Sequence, residues 1–309
     1  MYDTIHFWIH RADISFDPFQ IANLLSNVVK SSSDNGYSFT GRLNNFIVKA
    51  TEAGISVKGS LSKFYFGNNI QTLTLQDTQK AIQMLSERLQ ISLFQAKVTR
   101  IDIGAVLITK HAPASYFKFL GNKARFERVL KTKNSLCYET IKRILAFYDK
   151  TLETNKSGMN IPDEFKESNL LRYELRFTQR IPNQLNEKEV NGETLCKPIF
   201  YSKLIKLWKD EYKSIQKASS LNCPDYTKIK TPSDAKEAIL GYLLHDKDIS
   251  FVNYFIADLK ANKTFNDPKY YSRFFSDISN LFYNQSSFND EFIIELDNII
   301  SNFNRIKYY

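Results

Sequence analysis

The chain has 309 residues, 43% of them hydrophobic and 24% charged, which is ordinary for a globular protein with a substantial core. It carries 42 Lys and Arg residues against 33 acidic ones, a formal net charge of +9. No run of 18 apolar residues exists and no basic segment precedes an apolar run at the N-terminus, so we expect neither a membrane span nor a signal peptide. The three cysteines form no CxxC pair, which argues against a disulfide framework or zinc ribbon and favours a reducing cytoplasm.

The first 90 residues predict a mixture of strands and helices. Alternation predicts a strand over residues 4–9, and the spacing of apolar residues predicts a helix over 17–30. A meander of short antiparallel strands is predicted over 37–66, and an amphipathic helix over 75–90.

The middle of the chain is rich in predicted strands. These strands cover 96–110, 125–131, 135–140, 142–148 and 169–178, and a short helix is predicted near 115–120. Strands and helices in this order predict an α+β fold, a mainly antiparallel sheet with helices on one face.

After about residue 181 the sequence becomes helical. A long helix is predicted over 198–217, a linker over 221–230, and three or four helices from 231 to 305. We therefore expect two domains, an α+β domain over 1–220 and a helical accessory domain over 221–309.

Two predicted strands place acids beside arginines on one face. Arg100 and Asp102 share a face in the first strand, and Arg172, Glu174 and Arg176 share a face in the second. Carboxylates placed in this way could hold Mg²⁺ or Mn²⁺, which prefer oxygen ligands. The alternative is a pair of cross-strand salt bridges in which arginine neutralises each acid.

A tyrosine is a candidate nucleophile. Tyr148 ends a predicted strand, with Lys150 close behind it and Glu153 one turn further on. A phenol has a pKa of about 10, so it needs a metal ion or a nearby lysine to react at neutral pH. His6 is either a metal-site group or a histidine at the surface end of a strand.

Positive charge is concentrated in residues 97–150, which hold twelve Lys or Arg and four Asp or Glu. A polyanion would be drawn to this stretch, and the alternative is a solvated surface. Lys63 lies among alternating hydroxyls and could contact a phosphate backbone, unless its segment is a plain amphipathic strand that ends in a turn. The other candidate DNA contacts are also basic residues: Arg100, Arg143 and Arg172.

Five short motifs occur in order along the chain. They are Asp3-Thr4-Ile5-His6-Phe7, Gly59-Ser60-Leu61 through Gly67-Asn68-Asn69, Arg100-Ile101-Asp102, Phe147-Tyr148-Asp149-Lys150 with Glu153, and Leu171-Arg172-Tyr173-Glu174-Leu175. With these motifs, residues 1–217 resemble the replication initiators of filamentous phages (the gene II/X type) and related plasmids. The chain is more distantly similar to rolling-circle plasmid initiators and to relaxases with a Tyr-Asp/Asn-Lys motif.

The resemblance implies an enzyme that nicks one strand of a double-stranded origin. Tyr148 would attack the scissile phosphate, become linked to the 5′ end and later rejoin the strand, with Tyr138 as the alternative nucleophile. Asp102 and Glu174 would hold Mg²⁺ or Mn²⁺, and Lys150 would steady the phosphate or the phenolate. The resemblance adds three further site residues: Asp3, His6 and Glu153.

The implied partners are double-stranded and single-stranded origin DNA, a host helicase and polymerase, and a second copy of the chain. The implied location is the cytoplasm of a bacterial host. Two other functions remain open, an origin-binding protein without chemistry and a relaxase of a mobile element.

Overall fold

Antiparallel pairing joins most strands of the protein into one ten-stranded sheet. In a computed structural model, residues 1–33, 36–158, 161–217, 229–245, 250–283 and 291–303 are described. The strands are β1 (Tyr2–His10), β2 (Ser26–Ser33), β3 (Gly36–Leu43), β4 (Phe46–Thr51), β5 (Gly54–Ser60), β6 (Lys97–Thr109), β7 (Leu120–Lys123), β8 (Glu127–Thr132), β9 (Ser135–Glu139), β10 (Arg143–Asp149), β11 (Asn169–Phe177) and β12 (Ile215–Lys217). The order across the large sheet is β2-β3-β4-β5-β1-β6-β11-β10-β9-β8, and β7 pairs with β12.

The helices occupy the connections between strands and the C-terminal region. They are α1 (Pro18–Asn23), α2 (Leu61–Phe66), α3 (Leu75–Leu89), α4 (Ala114–Phe117), α5 (Lys150–Lys156), α6 (Ile181–Leu185), α7 (Gly192–Leu195), α8 (Pro198–Lys213), α9 (Pro232–His245), α10 (Ser250–Ala261), α11 (Pro268–Tyr283) and α12 (Glu291–Ser301). In the described part of the chain no helix is long and apolar enough to cross a membrane.

The core lies on one face of the sheet, beneath α3, α8 and α12. Tyr173 of β11 stacks between Phe147 and Trp208, with ring centroids 4.4 and 4.7 Å away. The Tyr173 hydroxyl donates to the Trp208 carbonyl at 3.0 Å, so helix and strand are joined by a hydrogen bond as well as by packing. The predicted α+β fold with helices on one face is confirmed.

The helix predicted over 17–30 is wrong in its second half. Helix α1 ends at Asn23, and residues 26–33 form β2, which pairs with β3. The segment contains adjacent β-branched Val28 and Val29 followed by serines, and such residues favour a strand where a neighbouring strand offers pairing.

The strand predicted to run to residue 66 is also wrong at its end. β5 stops at Ser60, whose hydroxyl accepts a hydrogen bond from the Lys63 backbone at 3.1 Å and caps α2. Gly67 ends that helix in the left-handed conformation, with φ of 76°.

The C-terminal region contains four helices within the described residues, as predicted. Buried Ile293, Leu296 and Ile300 of α12 join the main core, while α10 and α11 share a small cluster around Val252 and Ile256. Residues 221–228 of the linker predicted over 221–230 lie outside the described residues. The domain boundary near residue 220 stays a prediction.

We expect Trp208→Ala to lower the free energy of unfolding by about 3–5 kcal/mol, because it empties a fully buried site against Tyr173. Urea unfolding followed by circular dichroism measures the change. Lys206→Ala, at an exposed position of the same helix, is the control and should change the free energy by less than about 0.5 kcal/mol. Equal effects of the two variants would contradict the assigned packing of α8.

Candidate active site

Strand register brings charged side chains together on the sheet face opposite the core. β11 lies between β6 and β10, where Arg176 pairs with Asp102 and Arg172 pairs with Tyr148. Alternate residues of a strand share a face, so Glu174 joins them. This side of the sheet is called the polar face below.

A glycine leaves room for the central carboxylate. Gly104 of β6 is paired with Glu174. A Cβ at Gly104 would lie 2.8 Å from the Glu174 Cγ and 2.6 Å from the Tyr173 carbonyl oxygen. The missing side chain therefore lets Glu174 lie flat against the neighbouring strand.

Glu174 is held by three donors. Its Oε1 accepts from the Tyr148 hydroxyl at 2.8 Å and from Arg172 Nε at 3.0 Å, and its Oε2 accepts from Arg176 Nε at 2.9 Å. Burial alone would raise the pKa of this carboxyl, but the charges of Arg172 and Arg176 outweigh it and lower the pKa to about 2. Glu174 is therefore ionised at neutral pH although it is buried.

Tyr148 is partly buried and its phenol is neutral. Burial raises its pKa well above the usual value, and the adjacent Glu174 charge raises it further, while Arg172 acts in the opposite direction. The hydroxyl consequently keeps its proton and donates it to the hydrogen bond with Glu174.

Arg172 connects three parts of the chain. Its side chain is 1% exposed, and Nη2 donates to Asp3 Oδ2 at 2.7 Å while Nη1 donates to the Asn69 carbonyl at 2.9 Å. Asp3 also accepts a hydrogen bond from the Ser60 hydroxyl through Oδ1. Arg172 thus fixes the positions of Asp3 and Glu174 relative to the loop that carries Asn69.

Asp102 forms a bidentate ion pair with Arg100 of the same strand. Arg100 Nε and Nη2 donate to its two oxygens at 2.9 and 2.7 Å. Burial raises the Asp102 pKa to about 6, although the Arg100 hydrogen bond and charge act to lower it. The side chains of Arg100 and Arg176 remain 32% and 28% exposed, so both guanidinium groups can reach an incoming anion.

Lys150 and Glu153 lie where the strand becomes a helix. Asp149 ends β10 and caps α5 by accepting from the Leu152 backbone at 3.0 Å, so the strand alternation stops one residue before Lys150. The Lys150 side chain is fully buried and its ammonium contacts the Glu153 carboxylate. Burial lowers the Lys150 pKa.

His6 pairs in register with Arg100 on one side and with Lys58 on the other. Burial lowers its pKa to about 4, and the charges of Arg100 and Lys58 lower it as well. The imidazole is therefore neutral at physiological pH.

Residues 1–203 match a family model that describes the N-terminal region of the phage gene II replication-associated protein. The chain belongs to this family. The resemblance to the filamentous-phage initiators is thereby confirmed, and membership indicates a rolling-circle replication initiator. No curated protein matches the chain at a significant level.

The alternative nucleophile, Tyr138 on the neighbouring strand, lies on the other side of the sheet. Tyr138 is fully buried, and its hydroxyl donates to the carbonyls of Leu120 and Gly121 at 3.0 and 2.7 Å. Tyr138 pairs with Leu145 of β10. Phe147, two residues further along β10 and so on the same face, contacts Tyr212 of α8, so Tyr138 also faces the helices.

Two predicted DNA contacts make no described contact with Glu174. Arg143 donates to Gln184 at 3.1 Å and forms an ion pair with Glu211 of α8. Lys63 is a partly buried residue of α2, and its backbone donates to the Ser60 hydroxyl. Of the other two predicted contacts, Arg172 donates to Glu174 and Arg100 is paired with Asp102.

The predicted Mg²⁺ or Mn²⁺ site does not fit the carboxylates as they are arranged. Glu174 and Asp102 have both oxygens engaged by arginine, and Asp3 is paired with Arg172. Among the described residues, no group of three or more His, Cys, Asp and Glu side chains is placed to hold a metal. Asn69 Oδ1 is a buried oxygen for which the described residues provide no hydrogen-bond partner, but one amide oxygen does not complete a cation site.

Sequence reasoning left some members of the cluster out. Arg176 shares the predicted face but is missing from the predicted contacts, although strand alternation was sufficient to find it. Asn69 and Ser60 belong to a quoted motif, yet their contacts with Arg172 and Asp3 join residues far apart in the chain, which no local pattern reveals.

A cleft of about 650 Å³ opens beside Tyr148. It lies between the β8–β9 turn and α5, and includes the lysines Lys133 and Lys156, which are exposed. An extended polyanion can therefore approach the phenol from this side. The remaining lining residues are Thr132, Asn134, Ser135, Asp149, Leu152, Glu153 and Ser157.

The raised pKa of Asp102 predicts a pH effect of defined sign. Between pH 3.8, its ordinary pKa, and about pH 6 this carboxyl binds more protons in the folded protein than in the unfolded chain, so the contribution of Asp102 to stability rises as the pH falls through this range. Lowering the pH from 7.5 to 4.5 should stabilise the wild type relative to Asp102→Asn by about 2 kcal/mol. Urea unfolding of both proteins at the two pH values measures this, and an unchanged difference would show that the pKa is not raised.

Proposed function

We propose that this replication initiator nicks one strand of a double-stranded origin with Tyr148 as the nucleophile and later rejoins the strand. The hydrogen bond of 2.8 Å from the Tyr148 hydroxyl to Glu174 supports this assignment most directly. It joins a candidate nucleophile to an ionised carboxylate that two arginines hold in place.

In the proposed reaction, the Tyr148 oxygen attacks the scissile phosphorus while its proton passes to Glu174. The bond from phosphorus to the 3′ oxygen breaks, and that oxygen takes a proton from water and becomes the 3′ hydroxyl that a polymerase extends. The product is a phosphodiester between Tyr148 and the 5′ end. In the rejoining step a 3′ hydroxyl attacks this link and Tyr148 recovers its proton.

Proton transfer must accompany the attack. Glu174 has a pKa of about 2 and the phenol has a raised pKa, so a resting phenolate is strongly disfavoured. Charge that develops on the phosphate must therefore be stabilised at the same moment. Arg100 and Arg176 are partly exposed on this face, and they are the groups that we propose for that role.

Tyr148 is a better candidate than Tyr138. It shares the polar face with the acids and borders a cleft, whereas the Tyr138 hydroxyl is engaged by two carbonyls inside the core. Lys150 is proposed to act through Glu153 as a positioning residue, since its ammonium is buried against that carboxylate.

The other proposed partners and the location follow from this activity. The substrate is origin DNA, double-stranded before the nick and single-stranded afterwards, in the cytoplasm of a bacterial host. A host helicase, a homodimer and the relaxase alternative stay predictions. The arginine-paired carboxylates favour one rival, an origin-binding protein without chemistry, because a pure binder needs no metal site.

Tyr148→Phe should abolish nicking of a supercoiled plasmid that carries the cognate origin, with a loss of at least about 10³-fold, because the nucleophilic oxygen is removed. Tyr138→Phe should nick at nearly the wild-type rate. Gel electrophoresis measures open circles, and denaturing gels detect the covalent adduct at the 5′ end. Normal nicking by Tyr148→Phe would refute the assignment, and loss of nicking in Tyr138→Phe alone would move the nucleophile to Tyr138.

The requirement for Mg²⁺ or Mn²⁺ stays a prediction from the family resemblance. We expect EDTA to suppress nicking and added Mg²⁺ or Mn²⁺ to restore it, while binding of origin DNA persists. The same plasmid assay and a gel-shift assay measure the two effects. Nicking at full rate in EDTA would show that the arginines stabilise the phosphate without a cation, and binding without any adduct under all conditions would support the non-catalytic rival.

A further inference from the structure

The polar face is exposed to solvent along β3, β4, β5 and β1. In β4, Phe46, Val48 and Ala50 are buried toward the helices, while Ile47 is 44% exposed and Lys49 is exposed on the other side. The same alternation continues through β3, β5 and β1. The outward residues of these strands form what is called the open face below, and it adjoins the candidate active site at His6 and Arg100.

Strand register arranges cations in a row across the open face. His6 pairs with Lys58 and Arg100, Lys58 pairs with Ile47, and Ile47 pairs with Arg42. Neighbouring strands are about 4.8 Å apart, so Arg42, Lys58 and Arg100 recur at intervals of about 10 Å.

A second row runs parallel to the first. Lys49 pairs with Ser56, which pairs with Trp8, and Trp8 pairs with Lys97. Lys49 and Lys97 are exposed, as are Arg42 and Lys58 in the first row.

Three of these cations, Arg42, Lys49 and Lys58, lack acidic neighbours on the strands that carry them. β3, β4 and β5 contain no Asp or Glu. Within the described residues, Arg42, Lys49 and Lys58 form no ion pair, in contrast to Lys123, Lys131 and Arg143, which are each paired with a glutamate. The open face therefore carries free positive charge outside the stretch 97–150 in which the sequence concentrates it.

We propose that the open face docks duplex DNA, with its phosphate backbone crossing from β3 to β6 and entering the candidate active site at Arg100. This inference rests on the proposed function and specifies where the uncut DNA lies. Lysine and arginine bind phosphates without reading sequence, so the surface binds the duplex that flanks the nick and leaves recognition of the origin to other contacts. Single-stranded DNA is the less suitable occupant, because it requires exposed aromatic side chains for stacking, and Trp8 on this face is only partly exposed.

The test uses the full-length protein and a triple variant, Arg42→Ala, Lys49→Ala and Lys58→Ala. Fluorescence anisotropy measures binding to a labelled duplex of arbitrary sequence at several NaCl concentrations. The slope of log K against log salt should fall in magnitude by roughly 2–3, since each lost phosphate contact contributes about 0.9. Affinity at 100 mM salt should fall at least tenfold.

A matched control removes the same charge from the opposite side of the sheet. Lys80, Lys206 and Lys213 are exposed on α3 and α8, and their triple replacement by Ala should leave the slope unchanged. An unchanged slope in the open-face variant, or equal losses in both variants, would overturn the proposal.

A third comparison separates this proposal from the nicking chemistry. The open-face variant retains Tyr148 and Glu174, so it should cleave a short single-stranded oligonucleotide that spans the nick site at the wild-type rate. Tyr148→Phe should bind the arbitrary duplex with the wild-type slope even though it cannot cleave. Loss of oligonucleotide cleavage in the open-face variant would show that its residues act in catalysis and would overturn their assignment to docking.

Discussion

Arg172 brings a positive charge into the buried part of the polar face, and the surrounding residues are arranged to compensate it. Its guanidinium donates to Asp3 of the first strand, to Glu174 of its own strand and to the backbone at Asn69. Removing one partner from such a set leaves an uncompensated buried charge, which is far more costly than the loss of a surface ion pair. The geometry around Tyr148 therefore depends on contacts among β1, β11 and the Asn69 loop, which join residues far apart in the chain.

Alternate residues of β11 contribute to the core and to the candidate active site. In β11, Tyr173 stacks on Trp208 and Phe147 within the core, while Glu174, the next residue, faces the opposite side and accepts from Tyr148. A shift of one residue in the register would exchange these faces, burying the charges in the core and exposing the aromatic rings. The core packing under β11 thus also fixes which side chains the polar face presents.

Alternation is the part of this arrangement that the sequence predicts well. Strands around Asp102 and Glu174 were expected to place each acid beside an arginine, and they do. The alternative to a metal site was a set of salt bridges between strands. The ion pair of Arg100 with Asp102 instead joins two residues of the same strand. Periodicity assigns residues to a face but does not state which partner an arginine chooses, because that choice depends on side-chain rotamers and on neighbouring strands.

Long-range contacts and local caps account for most of what could not be predicted. Ser60 caps a helix where the last strand of a predicted meander was expected, and its hydroxyl also donates to Asp3, 57 positions away. Tyr138 and Tyr148 look equivalent as strand tyrosines, and only the pairing of β9 with β10 separates them, since it places Tyr138 opposite Leu145 and Tyr148 opposite Ser135. Counting charge along the chain likewise could not show that several of the cations in residues 97–150 are neutralised by glutamates.

The neutral state of Tyr148 also bears on when the protein is reactive. A phenol whose proton is retained by burial and by an adjacent carboxylate is a poor nucleophile. In the proposed reaction, the phenol would react only while a phosphate occupies the site and offsets the charge that the departing proton leaves behind. Such a nucleophile would be selective, because it would stay unreactive whenever the site is empty.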